Sequence, residues 1–242
     1  VTMCAGMAKQ GMVPVFAVYS SFLQRGFDML IHDIALQHLH VVLAVDRAGL
    51  VGADGPTHHG VQDVGYLTQI PGMTVLCPAS FAELRSMLRS AVTLDGPVAL
   101  RYPRGGEGRA YPAWDGAPAA VLREGGDITL ASYGVLTGEL LDAADILAQR
   151  GIGAEVVKLH RIAPLPLETV LASVRKTGRL LVLEDGYETG GIGQQLAAAL
   201  ALAGGIPGAL ILKNLKDGFA PQGTVTELRR ALGLDAKAVA EA

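Results

Sequence analysis

Uninterrupted apolar runs alternate along the chain with segments whose apolar side chains recur at helical spacing. In the first hundred residues the runs are "VPVFAVY", "VVLAVD", "MTVLCP" and "VALRYP". Runs without polar alternation are typical of parallel strands that are covered on both faces. Between the first two runs, Phe22, Phe27, Leu30 and Ile34 largely follow the spacing of a helix. The pattern predicts a layer in which strands and helices alternate.

The alternation stops at residues 104–126 and then resumes. These residues are rich in glycine, proline and charge and have no apolar period, which is typical of a linker or of a segment at the rim of a domain. Four further strand-like runs follow, "DITLASY", "AEVVKL", "RLLVLED" and "ALILKN", with helical segments between them. We therefore predict an α/β fold of two doubly wound domains with mainly parallel sheets, at residues 1–115 and 116–242.

Composition and charge exclude several classes of protein. Half of the residues are hydrophobic and 18% are charged, which is typical of a folded globular chain. No apolar run reaches the roughly 20 residues of a membrane-spanning helix, and a net charge of -3 favours neither a nucleic acid nor an anionic membrane as partner. Cys4 and Cys77 lack metal-ligand spacing, so we expect buried thiols, no metal site and a cytoplasmic location.

Polar side chains collect where the predicted strands of the first domain end. Tyr19 ends one strand, Asp46 and Arg47 end the next, and Arg101 and Arg104 flank the end of the last. In open parallel sheets the carboxyl ends of the strands face one crevice, in which ligands bind. The sequence therefore predicts a binding crevice at this edge of the first sheet.

The residue types in this crevice indicate an anionic ligand. Arg47 and Arg104 carry planar donor forks that match a phosphate or a carboxylate. Asp54 and His58, in the glycine-rich loop "DRAGLVGADGPTHHG", can bond to hydroxyl and carbonyl groups. A phosphorylated sugar or a short aldehyde fits this set. The alternative is a solvated turn, in which Arg47 pairs with a surface carboxylate and His58 caps the turn.

Other polar features carry weaker signals. The stretch "LEDGYETGGIG" matches neither a dinucleotide fingerprint nor a P-loop. We interpret it as structural, with Glu184 and Asp185 at a contact between domains or subunits. The remaining histidines have no visible metal partner, and we interpret them as solvated or half-buried; they are His32, His38, His40, His59 and His160.

Four stretches together resemble one enzyme family. "YSSFLQRGFDMLIHDIALQ", "DRAGLVGADGPTHHG", "RYPRGG" and "FAPQGT" are similar to motifs of the 1-deoxy-D-xylulose-5-phosphate synthases, which are thiamine-diphosphate enzymes of the transketolase superfamily. "GADGPTH" alone indicates the wider transketolase group, and "DRAGLV" with "YSSFLQR" narrows the resemblance to the synthases. The resemblance implies a pyrimidine-binding domain followed by a transketolase C-terminal domain.

The resemblance also implies a reaction. Members of this family condense pyruvate with glyceraldehyde 3-phosphate, release carbon dioxide and form 1-deoxy-D-xylulose 5-phosphate, a source of isoprenoid precursors, thiamine and pyridoxal. Thiamine diphosphate carries out the difficult chemistry. The implied enzyme is a cytoplasmic homodimer that uses Mg²⁺ and binds neither nucleic acid nor membrane.

The same resemblance gives each candidate residue a role. By its position in the first motif, Phe22 stacks on the aminopyrimidine ring of the cofactor. Arg47 and Arg104 hold the phosphate of the acceptor. The implied catalytic set, which lines the pocket and positions the acceptor or the intermediates, is Tyr19, Arg25, Asp54 and His58.

The chain departs from the family pattern at its start. It opens with Val1 inside a predicted helix, without the glutamate motif that activates the pyrimidine and without the N-terminal domain that binds diphosphate through Mg²⁺. We therefore expect the C-terminal part of a longer synthase, with the pyrimidine half of the cofactor site and no catalysis alone. Gln62 replaces a usual aromatic residue, which affects the packing of the loop.

Two other functions stay open. The chain could be one subunit of a split enzyme, either transketolase-like or of the 2-oxoacid dehydrogenase β type, whose partner chain supplies the missing half. It could also be a non-catalytic assembly module that keeps the fold and the dimer surface. The presence of the arginine, aspartate and histidine set counts against the module.

Overall fold

Two sheets carry the architecture of the chain, which a computed structural model describes at residues 1–216 and 218–242. The strands of the described residues are β1 (Val15–Tyr19), β2 (Val42–Asp46), β3 (Thr74–Leu76), β4 (Val98–Arg101), β5 (Ala119–Arg123), β6 (Ile128–Tyr133), β7 (Ala154–Leu159), β8 (Arg161–Ala163), β9 (Arg179–Leu183) and β10 (Ala209–Lys213). The first sheet has the order β1-β2-β4-β3-β8 and the second the order β10-β9-β6-β7-β5. All neighbours pair in parallel except β8 and β5, each of which is antiparallel at an edge. The predicted fold class is confirmed.

Helices connect the strands and cover the sheets. Three of the described helices begin at side-chain caps: the Ser80 hydroxyl accepts from the Glu83 N–H at 3.3 Å, Thr224 forms a reciprocal capping box with Glu227, and the Asp235 carboxylate accepts from the Ala238 N–H at 3.1 Å. Short 3₁₀ turns lie at Gln24–Gly26, Gly52–Asp54 and Gly134–Leu136, and a π-helical turn lies at Leu30–Ala35. The α-helices of the described residues are α1 (Thr2–Lys9), α2 (Ser20–Leu23), α3 (Phe27–Met29), α4 (Asp63–Leu67), α5 (Phe81–Ala91), α6 (Thr137–Gln149), α7 (Leu167–Thr177), α8 (Ile192–Leu202), α9 (Val225–Ala231) and α10 (Ala236–Ala240).

The edge strands β5 and β8 were not indicated by the hydrophobic pattern. Strand β5 lies within residues 104–126, so the prediction of a linker is wrong for that part of the segment. Strand β8 follows β7 after a single residue, yet it pairs with β3 of the first sheet. The second half of the chain therefore completes the sheet of the first half.

One hydrophobic core runs through both layers. It includes Val75 and Cys77 from the first layer together with Val157 and Ile162 from the second half of the chain, all fully buried. Close packing of this kind resists sliding of one layer over the other. The two domains therefore form a continuous body at this contact.

A buried lysine also joins the layers. Lys158 of β7 forms an ion pair with Glu83 of α5, and its ammonium lies 3.7 Å from the centre of the Tyr111 ring. Glu83 accepts a hydrogen bond from the Ala79 N–H at 2.7 Å, and His160 lies 3.4 Å from its carboxylate. Burial alone would raise the pKa of Glu83, but hydrogen bonds from His160 and Lys158 bring it below its usual value. The carboxylate of α5 is therefore held in its charged form against the second sheet.

Two histidines differ from the interpretation made from the sequence. His59 and His160 are buried, and a bond to a backbone carbonyl distant in sequence satisfies each ring there: His59 Nε2 lies 2.9 Å from Pro221 O, and His160 Nδ1 lies 3.1 Å from Ala117 O. The interpretation as solvated or half-buried is wrong for both. It is confirmed for the exposed or half-buried histidines His32, His38 and His40.

Candidate active site

The carboxyl ends of three parallel strands meet at one edge of the first sheet. Tyr19 at the end of β1 is in register with Asp46 at the end of β2. Arg47 follows β2 directly, and Arg104 follows the end of β4. Because β1, β2 and β4 are neighbours in the sheet, these residues share one side of the molecule. The predicted crevice is present.

Arg47 is held in a backbone conformation that residues other than glycine rarely adopt. Its φ angle is 57°, in the left-handed region. Its backbone N–H and its Nη1 both donate to the Asp46 carboxylate, at 2.7 and 2.6 Å, and its guanidinium lies 3.7 Å from the centre of the Tyr19 ring. Its Nε is buried and has no hydrogen-bond partner in the described residues. An unsatisfied buried donor is costly, so a bound anion would stabilise this arginine.

Arg104 lines the same cavity as Arg47. The cavity has a volume of about 310 Å³, and its wall also includes Phe81, Leu84 and Val135. Arg104 Nη1 donates to Asp54 Oδ2 at 2.7 Å, and its side chain is 49% exposed. Only Nη1 is used by Asp54, so the remaining N–H groups of this half-exposed guanidinium can donate to a ligand while Asp54 directs the side chain.

An aromatic group stands beside the arginines. The rings of Tyr19 and Phe22 stack with their centres 5.2 Å apart, and the His58 ring meets Phe22 edge-on at 5.6 Å. Phe22 keeps 48% of its surface exposed. A half-exposed ring whose other side is packed can stack on a flat heteroaromatic ligand.

Arg25 stands apart from this group. It lies on the 3₁₀ turn Gln24–Gly26, and its side chain is exposed. Within the described residues the structure gives it no hydrogen bond and no ion pair. The structure therefore brings Tyr19, Phe22, Arg47 and His58 into one set of contacts and pairs Asp54 with Arg104. The two sets meet at the cavity through Arg47 and Arg104, which both line it.

Arg101 supports the site from beneath and does not enter the crevice, contrary to the prediction. It is buried, its Nε donates to both carboxylate oxygens of Asp63 at 3.0 Å, and its Nη2 bonds Asp185 at 3.0 Å and the Gly60 carbonyl at 3.2 Å. Burial alone would lower the pKa of Arg101, but the two carboxylates hold it well above its usual value. A Cβ on Gly49 would overlap the Asp185 carboxylate. This position therefore needs glycine.

Residues 49–60 form a closed loop that carries Asp54 and His58; we refer to it as the site loop. Its ends are fastened to each other, because Gly49 and Gly60 exchange two backbone hydrogen bonds of 2.6 and 2.8 Å. Compact loops with adjacent ends often carry functional side chains on a rigid frame. Here the frame is the end of β2 and the buried Arg101.

The glycine-rich stretch at 183–193 has a structural role. Glu184 accepts from the backbone N–H groups of Ile192 and Gly193, at 2.9 and 3.0 Å, where α8 begins. The Tyr133 hydroxyl donates to it at 3.3 Å. Burial raises the pKa of Glu184 to about 7. Asp185 forms the ion pair with Arg101 of the first layer, so the interpretation as a contact between domains is confirmed for Asp185. The hydrogen bonds of Glu184 stay within the second layer, where it caps α8.

Two residues that shape the site could not be found from sequence spacing. Asp63 is separated by 38 residues from Arg101, and His59 by 162 residues from Pro221. Asp63 is the one acidic residue in the mainly apolar stretch "GVQDVGYL", which weakly indicates that it is buried beside a partner. No comparable signal marks His59.

Three further findings concern the described part of the chain. No group of three histidine, cysteine, aspartate or glutamate side chains there is arranged to hold a metal ion. No described helix combines the length and the hydropathy needed to cross a bilayer. Cys4 and Cys77 are free and buried, and burial raises the pKa of the Cys77 thiol to about 12.

Comparison with protein families gives two adjacent matches. Residues 1–106 match the family described as transketolase, pyrimidine binding domain. Residues 117–239 match the family described as transketolase, C-terminal domain. The first match contains four strands of the first sheet, and the second contains the whole second sheet together with β8, which completes the first. The segment between residues 106 and 117 lies outside both matches.

Curated relatives and a solved structure extend this similarity. The chain is 43% identical to 1-deoxy-D-xylulose-5-phosphate synthase 1 of Geobacter sulfurreducens over 251 aligned positions, and 43% identical to the synthase of Gloeobacter violaceus over 248. It spans 39% of the length of each. A solved structure, a split-gene transketolase in an inactive β4 tetramer, is similar over 99% of this chain and 78% of its own, with 28% identity and a TM-score of 0.90.

Proposed function

Because the chain belongs to the transketolase family, we propose that it forms the acceptor-binding part of a 1-deoxy-D-xylulose-5-phosphate synthase. One observation carries the proposal: Arg47 and Arg104, from two different strand ends, line one cavity of about 310 Å³. Two guanidinium forks match the tetrahedral oxygens of a phosphate group. We assign them to the phosphate of glyceraldehyde 3-phosphate.

The other polar side chains of the crevice suit the rest of the acceptor. We assign Asp54 and Tyr19 to orienting its hydroxyl and carbonyl groups. His58 is half-buried beside Phe22, where its imidazole can give a proton to the carbonyl oxygen while a carbon–carbon bond forms. Arg25, on the turn after Phe22, is assigned to the outer wall of the pocket.

The residues present fit the pyrimidine half of thiamine diphosphate. The exposed face of Phe22 is backed by Tyr19, so an aminopyrimidine can stack on it without any rearrangement of the packed side. When bound, thiamine diphosphate supplies the nucleophilic carbon that takes up the two-carbon unit of pyruvate. We propose that the diphosphate and its Mg²⁺ are held by protein outside residues 1–242.

The proposal also covers the domain boundary, the substrates and the working form of the enzyme. We place the boundary between the pyrimidine-binding domain and the C-terminal domain at residues 115 and 116. The substrates are pyruvate and glyceraldehyde 3-phosphate, the product feeds the synthesis of isoprenoid precursors, thiamine and pyridoxal, and the working form is a cytoplasmic homodimer. Residues 1–242 alone do not turn over.

A turnover assay tests the proposal. Formation of 1-deoxy-D-xylulose 5-phosphate is measured with thiamine diphosphate and Mg²⁺, for residues 1–242 alone and for the same residues fused behind a synthase N-terminal domain. We expect activity only in the fusion, with a strong loss on Arg47→Ala. Arg89 is exposed on α5, so Arg89→Ala is the matched control. A folded fusion without activity would contradict the proposal, and turnover by residues 1–242 alone would contradict the claim of inactivity.

A second function is favoured by one observation. The similar solved structure is a transketolase encoded by a split gene, in which chains like this one assemble without activity. We propose, as the alternative, that this chain is one subunit of a split enzyme. Mixing it with a separately produced diphosphate-binding domain decides between the two: full activity of the mixture supports the split enzyme, whereas activity that requires covalent fusion supports a single-chain synthase.

A further inference from the structure

We propose that the C-terminal domain holds the site loop in position for acceptor binding, and that His59 is the positioning residue through which it does so. The inference rests on the proposed function, because the loop carries Asp54 and His58, which are assigned there to the acceptor. His59 itself is buried. Its contacts connect the loop to residues 219–224, which we call the clamp segment.

The hydrogen bonds of His59 fix its protonation. Nδ1 lies 3.1 Å from the backbone nitrogen of Val51, and Nε2 lies 2.9 Å from the carbonyl oxygen of Pro221. A backbone N–H can only donate and a carbonyl can only accept, so Nδ1 has no proton and Nε2 carries one. The neutral ring therefore links the start of the 3₁₀ turn Gly52–Asp54 to the clamp segment.

Two further contacts join the turn to the clamp segment. Gln222 Nε2 donates to the Ala53 carbonyl at 2.8 Å. The two backbones also touch, because a Cβ on Gly52 would lie 2.9 Å from the Gly223 carbonyl oxygen, and Gly52 has a φ angle of 75°. The turn is thus fastened to the C-terminal domain on its inner side, while its outer side carries Asp54.

The position of the turn sets the direction of Arg104. Asp54 ends the turn and accepts from Arg104 at 2.7 Å. Arg47 is independent of the turn, because Asp46 and Tyr19 hold it at the ends of β2 and β1. Loosening the turn is therefore expected to misplace one of the two phosphate-binding arginines and to leave the other in place.

The chemistry of His59 offers a conservative replacement. A glutamine amide presents one acceptor and one donor at neighbouring atoms, as the neutral imidazole does, so His59→Gln can keep both bonds. His59→Leu fills similar space but leaves the Val51 N–H and the Pro221 carbonyl unpaired. Gln222→Ala removes an exposed contact and leaves the core unchanged. It therefore tests the contact between the turn and the clamp segment without lowering the stability of the fold.

Amide hydrogen exchange of the 242-residue chain tests the inference, together with titration by glyceraldehyde 3-phosphate. Loss of one buried hydrogen bond raises the equilibrium constant for local opening by about tenfold. We therefore expect His59→Leu to speed amide exchange across residues 51–58 by about tenfold and to weaken binding of glyceraldehyde 3-phosphate several-fold. His59→Gln should restore both values, and Gln222→Ala should give a smaller change in the same direction. Exchange in β6 and β9 should stay at its wild-type rate.

The outcomes separate this inference from the proposed function. Unchanged exchange of the site loop in both His59→Leu and Gln222→Ala, or equal loss in His59→Leu and His59→Gln, would overturn the positioning role. Faster exchange spread evenly over both sheets would also overturn it, since that result reflects general destabilisation. If the wild-type chain binds no glyceraldehyde 3-phosphate but His59→Leu still loosens the loop, the proposed acceptor site fails and the positioning of the loop stands.

Discussion

At the scale of single residues, the two arginines of the crevice differ in how firmly they are held. Arg47 is fixed by Asp46 and by the face of Tyr19, whereas Arg104 is half exposed and pairs with Asp54. A side chain that is already ordered loses less conformational entropy on binding a ligand. Arg47 is therefore expected to contribute more to phosphate affinity than Arg104.

We predict that Arg47→Ala weakens binding of glyceraldehyde 3-phosphate by about 100-fold and Arg104→Ala by about tenfold, since hydrogen bonds to charged groups contribute roughly 1.5–3 kcal/mol. Arg47→Lys should restore little of the lost affinity, because an ammonium group cannot supply the planar pair of donors of a guanidinium. Isothermal titration calorimetry measures the affinities. Equal losses for the Arg47, Arg104 and exposed Arg89 variants would exclude a specific phosphate site.

Gly49 offers a second test at this scale. Its φ angle is 79°, and a Cβ there would overlap the Asp185 carboxylate that pairs with Arg101. We predict that Gly49→Ala lowers the free energy of unfolding by about 2–4 kcal/mol, because it disturbs a buried ion pair in addition to the backbone.

A matched glycine separates the two effects. Gly151 has a φ angle of 78°, but a Cβ there would meet nothing within 4 Å. Gly151→Ala should therefore cost only the backbone strain, about 1 kcal/mol. Urea unfolding of both variants gives the comparison, and equal costs would show that the Asp185 contact has no part in the loss.

The residues found from the sequence share one property. Arg47 and Arg104 are charged and lie within three residues of the ends of parallel strands, so the rule for strand ends places them in the crevice. The same rule misplaced Arg101, because it does not tell which side chains at a strand end turn into the protein. His59 was misjudged because its partner Pro221 comes from the other domain.

At the scale of elements, the start of α8 depends on a carboxylate whose charge is costly to bury. Glu184 accepts from the first N–H groups of the helix, and burial raises its pKa from an ordinary 4.5 to about 7. A group whose pKa is higher in the folded than in the unfolded chain stabilises the folded protein. This contribution is complete at pH values below the pKa of the group in the unfolded chain. That contribution is lost as the pH rises through the folded value.

We predict that the contribution of Glu184 to the free energy of unfolding falls between pH 4.5 and pH 7, by at most about 3 kcal/mol. Glu184→Gln should remove this part of the pH dependence, and exposed Glu168→Gln should leave it unchanged. Urea unfolding at several pH values between 5 and 8 measures it. If the free energy of unfolding changes with pH in the same way in wild type and in Glu184→Gln, Glu184 does not titrate in this range.

The elements divide into those that a local pattern can predict and those that it cannot. Strands β2 and β4 are buried almost throughout, and their apolar runs identify them. Strand β7 is buried along its whole length although it carries Glu155 and Lys158. Strand β5 lies inside a segment that is otherwise rich in glycine, proline and charge, and β8 has only three residues, so neither stands out as a separate apolar run. Only pairing with a distant strand makes them regular, and that pairing has no local signal.

At the scale of the whole molecule, the ion pair of Lys158 and Glu83 connects the layers. Removing one member of a buried pair leaves the other charge uncompensated. We predict that Lys158→Met lowers the free energy of unfolding by about 3–5 kcal/mol, and that adding Glu83→Gln recovers most of this loss.

Urea unfolding followed through the Trp114 fluorescence and through far-ultraviolet circular dichroism tests this prediction. Because the core is shared by both layers, the two signals should change together in every variant. A double variant as unstable as Lys158→Met would show that an unpaired Glu83 is not the cause of the loss. Separate transitions would show that the layers unfold independently.

The general architecture was accessible from the sequence, whereas the connection between the layers was not. Apolar runs and helical spacing predict two doubly wound domains, and the structure has them. The contacts that join the domains depend on single side chains such as Lys158 and Asp185, whose partners come from the other half of the chain. Periodicity within a window cannot contain such information.

The position of β8 has a consequence for synthesis on the ribosome. The first sheet consists of strands from the first 101 residues and of β8 at Arg161–Ala163. Until residue 163 has left the exit tunnel, the backbone of β3 has an open edge that can pair with another nascent chain. The interval between the emergence of β4 and that of β8 is therefore a period in which this edge of a growing chain is open to aggregation.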